Sequence, residues 1–238
     1  MPQKDGSISL NKYISSKGIC SRREADRWIE EGRVLINNKK AIKGNRVTDK
    51  DVVKIDGKPL KIKKKGKFVY LAVNKAPGIT CTTDLNDPDN IISYVNFPVR
   101  IFPVGRLDKS SSGLILMTDD GDIVNKILDS SNNNEKEYIV TVDKPINNEF
   151  LKKMAGGVHI LGKKTKRCVV QGIAKNVFRI ILTQGMNRQI RRMCDHFEYK
   201  VLALKRVRVM NIKLDDLPMG YWKVLTDEEV SELKQQLT

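Results

Sequence analysis

The stretch GRLDKSSSG, residues 105–113, places a single carboxylate, Asp108, between the basic residues Arg106 and Lys109. Apolar segments flank it, IFPV before and LILMT after, and both are typical of buried strands. A loop anchored at both ends could hold a carboxylate in a fixed position for catalysis. The same pattern also fits a turn aspartate that accepts hydrogen bonds from the next backbone amides. The residues alone leave both interpretations open.

A second segment with chemical potential is KEYIVTV, residues 136–142. The period-two alternation of a strand puts Lys136 and Tyr138 on the same face as Val140 and Val142. Tyr138 on such a face could stack on a nucleobase, because aromatic rings stack on bases. It could equally lie at the rim of an ordinary core.

A third segment, NRQIRRMCDHF, follows the period of a helix. Arg191 falls beside the apolar stripe of this helix, at the boundary between core and surface, whereas Arg188 and Arg192 lie on the opposite side. An arginine at that boundary could hold a partly buried carboxylate through two parallel hydrogen bonds. The stripe itself consists of Ile190, Met193, Cys194 and Phe197.

Three further carboxylates, Asp119, Asp120 and Asp122, follow the second apolar run. They could be the ligands of a metal-dependent nuclease, but so short a run offers a narrow spread of oxygen ligands for Ca²⁺ or Mg²⁺. Their place before DIVNKIL favours helix caps that complement the helix dipole.

The composition bounds the class of protein. Among 238 residues, 44 Lys and Arg stand against 28 Asp and Glu, a formal net charge of +16. A surplus of this size attracts polyanions and predicts nucleic acid as a partner. The four cysteines form no CxxC pair, and the sequence has no apolar run of the ~20 residues that span a bilayer and no signal peptide. These features predict a reduced, cytoplasmic, metal-free protein.

The elements that must position these residues fall into two blocks. Residues 8–57 predict two helices and a β-hairpin, and Ser21 and Glu24 have the spacing of a capping box at the second helix. Arg22 and Arg23 in its first turn oppose the helix dipole, a cost that a bound phosphate would offset. A solvated face without a ligand is the alternative. Further charge nearby comes from Lys12, Arg27 and Arg33.

Residues 58–67 form a lysine-rich stretch that predicts a basic linker. From residue 68 to residue 238, short β-rich runs outnumber helical patterns. This block predicts an α+β domain with a largely antiparallel or mixed sheet and flanking helices.

The first block resembles a known module. LNKYISSKGICSRREADRWIEEGRVLIN looks like an S4 domain, a small RNA-binding fold of two helices and a β-hairpin. The resemblance implies that a basic helical face docks on structured RNA. The contacts that it implies are Lys12, Arg22, Arg23, Arg27 and Arg33.

The second block resembles the RNA pseudouridine synthases. Their motifs are matched in order by GRLDKSSSGLILMTDDG, KEYIVTV and GMNRQIRRMC, and LKRVRVMNIKLDDLPMGYWKVLT fits the branch related to the small-subunit enzyme RsuA. One departure is NKAPG, in which Pro77 stands one position later than in the usual N-K-P-x-G.

The resemblance implies an enzyme that isomerises uridine to pseudouridine in RNA with neither cofactor nor metal. It makes Asp108 the essential carboxylate, Tyr138 the residue that stacks on the flipped base and is placed to move its C5 proton, and Arg191 the partner of Asp108. It gives Arg106 the place of the extruded uridine in the stack. Further RNA contacts are expected at Lys136, Arg188 and Arg192.

The expected substrate is a stem-loop of large-subunit ribosomal RNA. Small-subunit ribosomal RNA and a tRNA anticodon stem-loop are the alternatives for the same chemistry. A non-catalytic S4-type RNA-binding protein is the alternative from another class. In each case a monomer without a membrane partner is expected.

Overall fold

The computed structural model describes residues 6–60 and 67–237. The chain divides into two compact units, one ending at Phe68 and the other beginning at Val69. Most of the predicted linker, residues 61–66, lies outside the described residues. Within the described ranges, no helix is both long and apolar enough to cross a bilayer.

The first unit contains the two helices and the hairpin that the sequence predicts, together with further short strands that it does not. The helices are α1 (Leu10–Ser16) and α2 (Arg22–Glu30), and the strands are β1 (Ile8–Ser9), β2 (Val34–Ile36), β3 (Lys39–Lys40), β4 (Arg46–Val47), β5 (Val53–Ile55) and β6 (Lys58–Pro59). The helices pack their buried residues, among them Leu10, Ile14, Ala25 and Ile29, against Val34 and Val53 of the strands.

Local signals in this unit have their expected effects. The Ser21 side chain accepts a hydrogen bond from the Glu24 amide at 3.0 Å and so caps α2. Strands β2 and β3 pair as an antiparallel hairpin. The two residues of its turn, Asn37 and Asn38, have φ of 49° and 68°, as a tight hairpin with right-handed strand twist requires.

The predicted start of the linker is wrong. Lys58 and Pro59 form β6, which pairs antiparallel with β5, and the Leu60 amide donates to the carbonyl of Val53. Strand β6 therefore adds an edge strand to the sheet of the first unit. The pattern misleads because a lysine-rich segment shows no apolar alternation, although an exposed edge strand needs none.

The second unit carries the larger sheet. Its strands are β7 (Tyr70–Lys75), β8 (Phe102–Pro103), β9 (Ser112–Thr118), β10 (Lys136–Val142), β11 (His159–Ile160), β12 (Lys163–Lys164), β13 (Val169–Ala174), β14 (Val177–Leu182), β15 (Val201–Val209), β16 (Ile212–Lys213) and β17 (Trp222–Val224). Its α-helices are α3 (Ile91–Val95), α4 (Gly121–Leu128), α5 (Asn148–Ala155), α6 (Gln189–His196) and α7 (Asp227–Gln235).

Nine of these strands form one sheet, with the main order β13-β14-β10-β15-β9-β7-β17. Strand β8 joins at β9 and strand β16 at β15. Among the paired strands of this sheet only β15 and β9 run parallel, through Lys205 opposite Ser112 and Arg206 opposite Gly113. The predicted α+β class with a mainly antiparallel sheet is confirmed.

The second unit has two apolar clusters, one that includes residues of β9 and one that includes a residue of β15. One cluster includes Leu71, Ile91, Leu107 and Ile115 from the segments around β7 and β9. The other gathers buried residues of β10, β14, α5, α6 and β15, among them Val140, Phe150, Phe178, Met193 and Leu204. Tyr138 packs against both clusters.

Asp119 and Asp120 precede α4 and make structural contacts, and Asp122 lies in the first turn of the helix. Asp119 accepts a hydrogen bond from the Val69 amide at 2.8 Å. Asp120 caps α4 by accepting from the Asp122 amide at 3.1 Å and also accepts from the Tyr70 hydroxyl at 2.6 Å. These contacts favour the capping interpretation over a metal-dependent nuclease. No group of three His, Cys, Asp or Glu side chains in the described residues is arranged to hold a metal ion.

Candidate active site

Asp108 lies in the loop between β8 and β9, and the backbone on both sides of it is fixed. The Ser111 amide donates to the Asp108 carbonyl at 2.9 Å, which closes a turn. Before the carboxylate, the Leu107 amide donates to Sγ of Cys81 at 3.3 Å. After it, the Lys109 carbonyl accepts from the Gly78 amide at 2.8 Å. The loop therefore holds Asp108 rigidly, as its flanking strands predict.

A buried lysine supports this loop from below. The ammonium of Lys75 is fully buried and donates to the carbonyls of Ala76 at 2.8 Å, Ile79 at 2.9 Å and Lys109 at 3.3 Å. Burial lowers the pKa of Lys75, and the charge of Asp108 acts in the opposite direction. Lys75 thus links the NKAPG turn to the residue that follows Asp108.

The shifted proline of NKAPG has a local counterpart. Ala76 stands where the usual motif has proline, and its amide donates to the Tyr94 hydroxyl at 3.2 Å. Proline at that position would lack this donor. The following Pro77 and Gly78 make the turn, with φ of 91° at the glycine.

Two arginines from the start of α6 approach Asp108. Nε of Arg191 lies 3.6 Å from Oδ2 of Asp108, and Nη1 of Arg188 lies 3.9 Å from the same oxygen. Arg191 also donates to the Val201 carbonyl at 3.2 Å and to Oγ of Ser111 at 3.3 Å. The structure therefore brings together Asp108 and Arg191.

Arg191, predicted near the boundary between core and surface, is buried, with 8% of its surface exposed. Its partners on β15 and on the Asp108 loop cover one side of α6. A helical projection cannot show this cover, because it contains no element other than the helix. Asp108 itself keeps 30% of its side chain accessible. The carboxylate is thus exposed to a ligand while its guanidinium partner is not.

Strand β10 presents Tyr138 and Lys136 to the same side. Tyr138 is half-buried and packs against the cluster that contains Leu107, the residue before Asp108. Lys136 is buried rather than exposed, and its ammonium donates to the Asn134 carbonyl at 3.1 Å. Burial and the charge of Arg206 lower its pKa from 10.5 to about 8. Lys136 therefore belongs to the floor of the site and not to its rim.

A row of residues that face one another across four strands forms this floor. Tyr138 lies opposite Arg206, Arg206 opposite Gly113, and Gly113 opposite Lys75. Residues paired in this way point to one face of a sheet. Along the row the side chains are an aromatic ring and a guanidinium, then none at the glycine, then an ammonium.

Position 113 in this row accepts only glycine. Gly113 has φ of 99°, and a Cβ added there would lie 2.2 Å from the carbonyl oxygen of Arg206. The sequence interpretation missed Lys75 and Arg206 as site residues, because a charged residue within a strand is normally exposed. The usable signal is that both interrupt strands whose neighbouring residues on the same face are apolar, such as Val73 and Leu204.

The other predicted contacts of this unit are on the outside. Arg106 and Arg188 are exposed. Arg192 donates to the backbone carbonyl of Asn187 at 3.1 Å and to its side-chain oxygen at 3.3 Å, so it braces the start of α6. Of these three, Arg188 comes within 4 Å of Asp108.

In the first unit the predicted basic contacts divide into two groups. Arg22 and Arg23 are exposed and form no ion pair within the described part of the chain. Arg27 lies 3.5 Å from Glu24, and Arg33 holds Asp56 through hydrogen bonds of 2.9 and 2.7 Å. Lys12 is half-buried on α1. The charges of Arg22 and Arg23 are therefore the ones left for an external anion.

Comparison with known proteins adds to this geometry. The model of the S4 domain matches residues 9–53, and the model of the RNA pseudouridylate synthases matches residues 69–196. A solved structure described as a pseudouridylate synthase superposes with a TM-score of 0.70 at 26% identity, covering 95% of this chain and 99% of the other.

Two relatives cover most of the chain. The dual-specificity RNA pseudouridine synthase RluF of Escherichia coli strain K12 is 54% identical over 229 residues, which cover 96% of this chain and 79% of that protein. The ribosomal large subunit pseudouridine synthase B of Bacillus subtilis strain 168 is 30% identical over 234 residues, covering 94% and 95%. The type F enzymes are also resembled by two segments of the sequence, KYISSKGICSRREADRWIEEGRV and KEYIVTVDKPI, and the 54% identity to RluF confirms this resemblance.

Proposed function

Because this chain belongs to the RNA pseudouridine synthase family, with an S4 domain before the catalytic unit, we propose that Asp108 is the carboxylate of its uridine isomerisation. The observation that carries this proposal is the contact of 3.6 Å between Asp108 and the buried Arg191. The backbone around Asp108 is fixed, so the carboxylate needs little rearrangement to act on a sugar bound above it.

Each remaining residue of the site has a role in this proposal. The uridine is flipped out of the RNA, at a cost of a few kcal/mol. Arg106, exposed in the same loop as Asp108, takes the place of the uridine in the stack. Tyr138 stacks on the uracil and moves the C5 proton, and Arg191 holds Asp108 in position. Phosphate contacts of Arg188 and Arg192 offset part of the cost of flipping.

We further propose that the RNA is a stem-loop of the large ribosomal subunit and that the protein acts as a monomer without a metal. The name of the relative from B. subtilis contains the words ribosomal large subunit. The first unit supplies an S4 domain with two exposed arginines that form no ion pair among the described residues. The name of the E. coli relative states a dual specificity. That name supports a second substrate of another RNA class, small-subunit ribosomal RNA or a tRNA anticodon stem-loop.

The catalytic proposal is tested with Asp108→Asn and RNA that carries 5-tritiated uridine. The variant keeps the shape of the side chain but loses its charge, so we expect tritium release to fall below detection while RNA affinity changes less than about threefold. Asp195→Asn, an exposed carboxylate later in α6, is the matched control and should release tritium at the rate of the unmodified protein.

Substantial release by Asp108→Asn would overturn the assignment of the carboxylate. An unmodified protein that binds RNA and releases no tritium would instead favour the non-catalytic S4-type RNA-binding protein. Mapping of pseudouridine in total RNA from cells with and without the gene would identify the substrate. Loss of a site in the large subunit is the expected result.

A further inference from the structure

Arg206 lies at the centre of the floor row, between Tyr138 and Gly113, and is one of the most deeply buried charges of the second unit. Only 4% of its surface is exposed. Its Nε donates to the Leu114 carbonyl at 2.7 Å, which fixes the guanidinium against β9. Its Nη2 is buried and has no hydrogen-bond partner among the described residues.

The charge balance around Arg206 is uneven. Lys75, Lys136, Arg191 and Arg206 are all buried. Among the described ion pairs, only Arg191 of these four has a carboxylate partner, Asp108. A buried charge without a partner is costly, and the cost is reduced when an anion enters the site. Lys75 is satisfied by three carbonyls, so the donor left over in the row is Arg206.

The isomerisation itself creates such an anion. When the bond between N1 and C1′ breaks, its electron pair stays on the uracil and C1′ of the sugar is left electron-deficient. The negative charge spreads over N1, O2 and O4 of the base. When C5 then bonds to C1′, the ring supplies the electron pair of the new bond. The C5 proton is lost and N1 gains a proton, so the product is an isomer of the substrate.

We infer that Arg206 is a catalytic residue that binds the uracil anion through its free Nη2 while the base is detached from the sugar. This inference rests on the proposed function. Arg206 pairs directly with Tyr138 across β10 and β15, on the face where the proposed function places the uracil, and the close approach of the Gly113 backbone holds β15 against β9. A preorganised donor in a dry site stabilises a developing charge without reorganising.

The test compares two RNA substrates under single-turnover conditions. One carries uridine and the other 5-fluorouridine at the target position, and consumption of that nucleotide is followed by nuclease digestion and chromatography. Fluorine makes the uracil a better anion, so its departure depends less on Arg206. We expect Arg206→Gln to slow uridine RNA by about 100-fold and 5-fluorouridine RNA by about tenfold or less.

A purely structural role would slow both RNAs by the same factor, and that result would overturn the inference. Lys205→Gln, an exposed neighbour on β15, is the control and should leave both rates unchanged. If Arg206→Gln is not recovered folded, Arg206→Lys provides the same comparison. Its charge is displaced, so it should also slow uridine RNA more than 5-fluorouridine RNA. An unmodified protein that consumes neither RNA would refute the proposed function instead.

Discussion

The buried charge of Lys136, in the floor of the site, lowers the free energy of unfolding. Its ammonium is buried with one carbonyl partner, and burial together with Arg206 lowers its pKa from 10.5 to about 8. The folded protein therefore disfavours the charged form. Below pH 8 Lys136 is protonated in both the folded and the unfolded chain, so the free energy of unfolding is lowered by the full cost of burying its charge. Between pH 8 and 10.5 the folded chain releases it first, and the cost declines.

We predict that Lys136→Met raises the free energy of unfolding at pH 7 by about 1–3 kcal/mol, because an apolar side chain of similar length replaces a poorly paired charge. The gain should shrink as the pH rises from about 8 towards 10.5. Urea unfolding of both proteins across this range measures it. Lys205→Met, at an exposed position, should show no such pH dependence. A gain that stays constant to pH 10.5 would contradict a lowered pKa for Lys136.

At the scale of elements, the contact between β9 and β15 depends on Gly113. A methyl group there would meet the carbonyl of Arg206 at 2.2 Å, and the φ of 99° is itself unfavourable for other residues. We predict that Gly113→Ala lowers the free energy of unfolding by about 3 kcal/mol or more and abolishes tritium release. The matched control is Gly162→Ala, at φ of 73° in open space, which should cost about 1 kcal/mol and keep activity.

The elements also show how far a sequence can be interpreted. The cap of α2 at Ser21, the hairpin after it and the capping role of Asp120 follow from patterns within a few residues, and all are confirmed. The burial of Arg206 was not predicted, because it depends on a partner strand more than 90 positions earlier in the chain. The roles of Asp108 and Tyr138 come from motif resemblance and stay predictions, although the structure brings Arg191 to Asp108.

At the scale of the whole molecule, the net charge of +16 should make RNA binding depend strongly on salt. Arg22 and Arg23 are exposed and uncommitted among the described residues, so we predict that replacing both with alanine lowers the slope of log K against log salt by about 1.5. Filter binding between 50 and about 200 mM salt measures this slope. Arg27→Ala, whose charge already meets Glu24, should change it less. An unchanged slope in the double variant would exclude these two arginines from the RNA contact.

The parallel pairing of β9 with β15 also makes the contact between Asp108 and Arg191 depend on a long-range step of folding. Asp108 precedes β9, whereas Arg191 precedes β15, and each side of this junction has its own apolar cluster. Strand pairing over such a sequence distance is slow, because a long loop must close first. The contact between Asp108 and Arg191 forms only when this pairing brings the two segments together. Under the proposed function, a chain in which β9 and β15 have not paired lacks the contact between Asp108 and Arg191 and should not act on RNA.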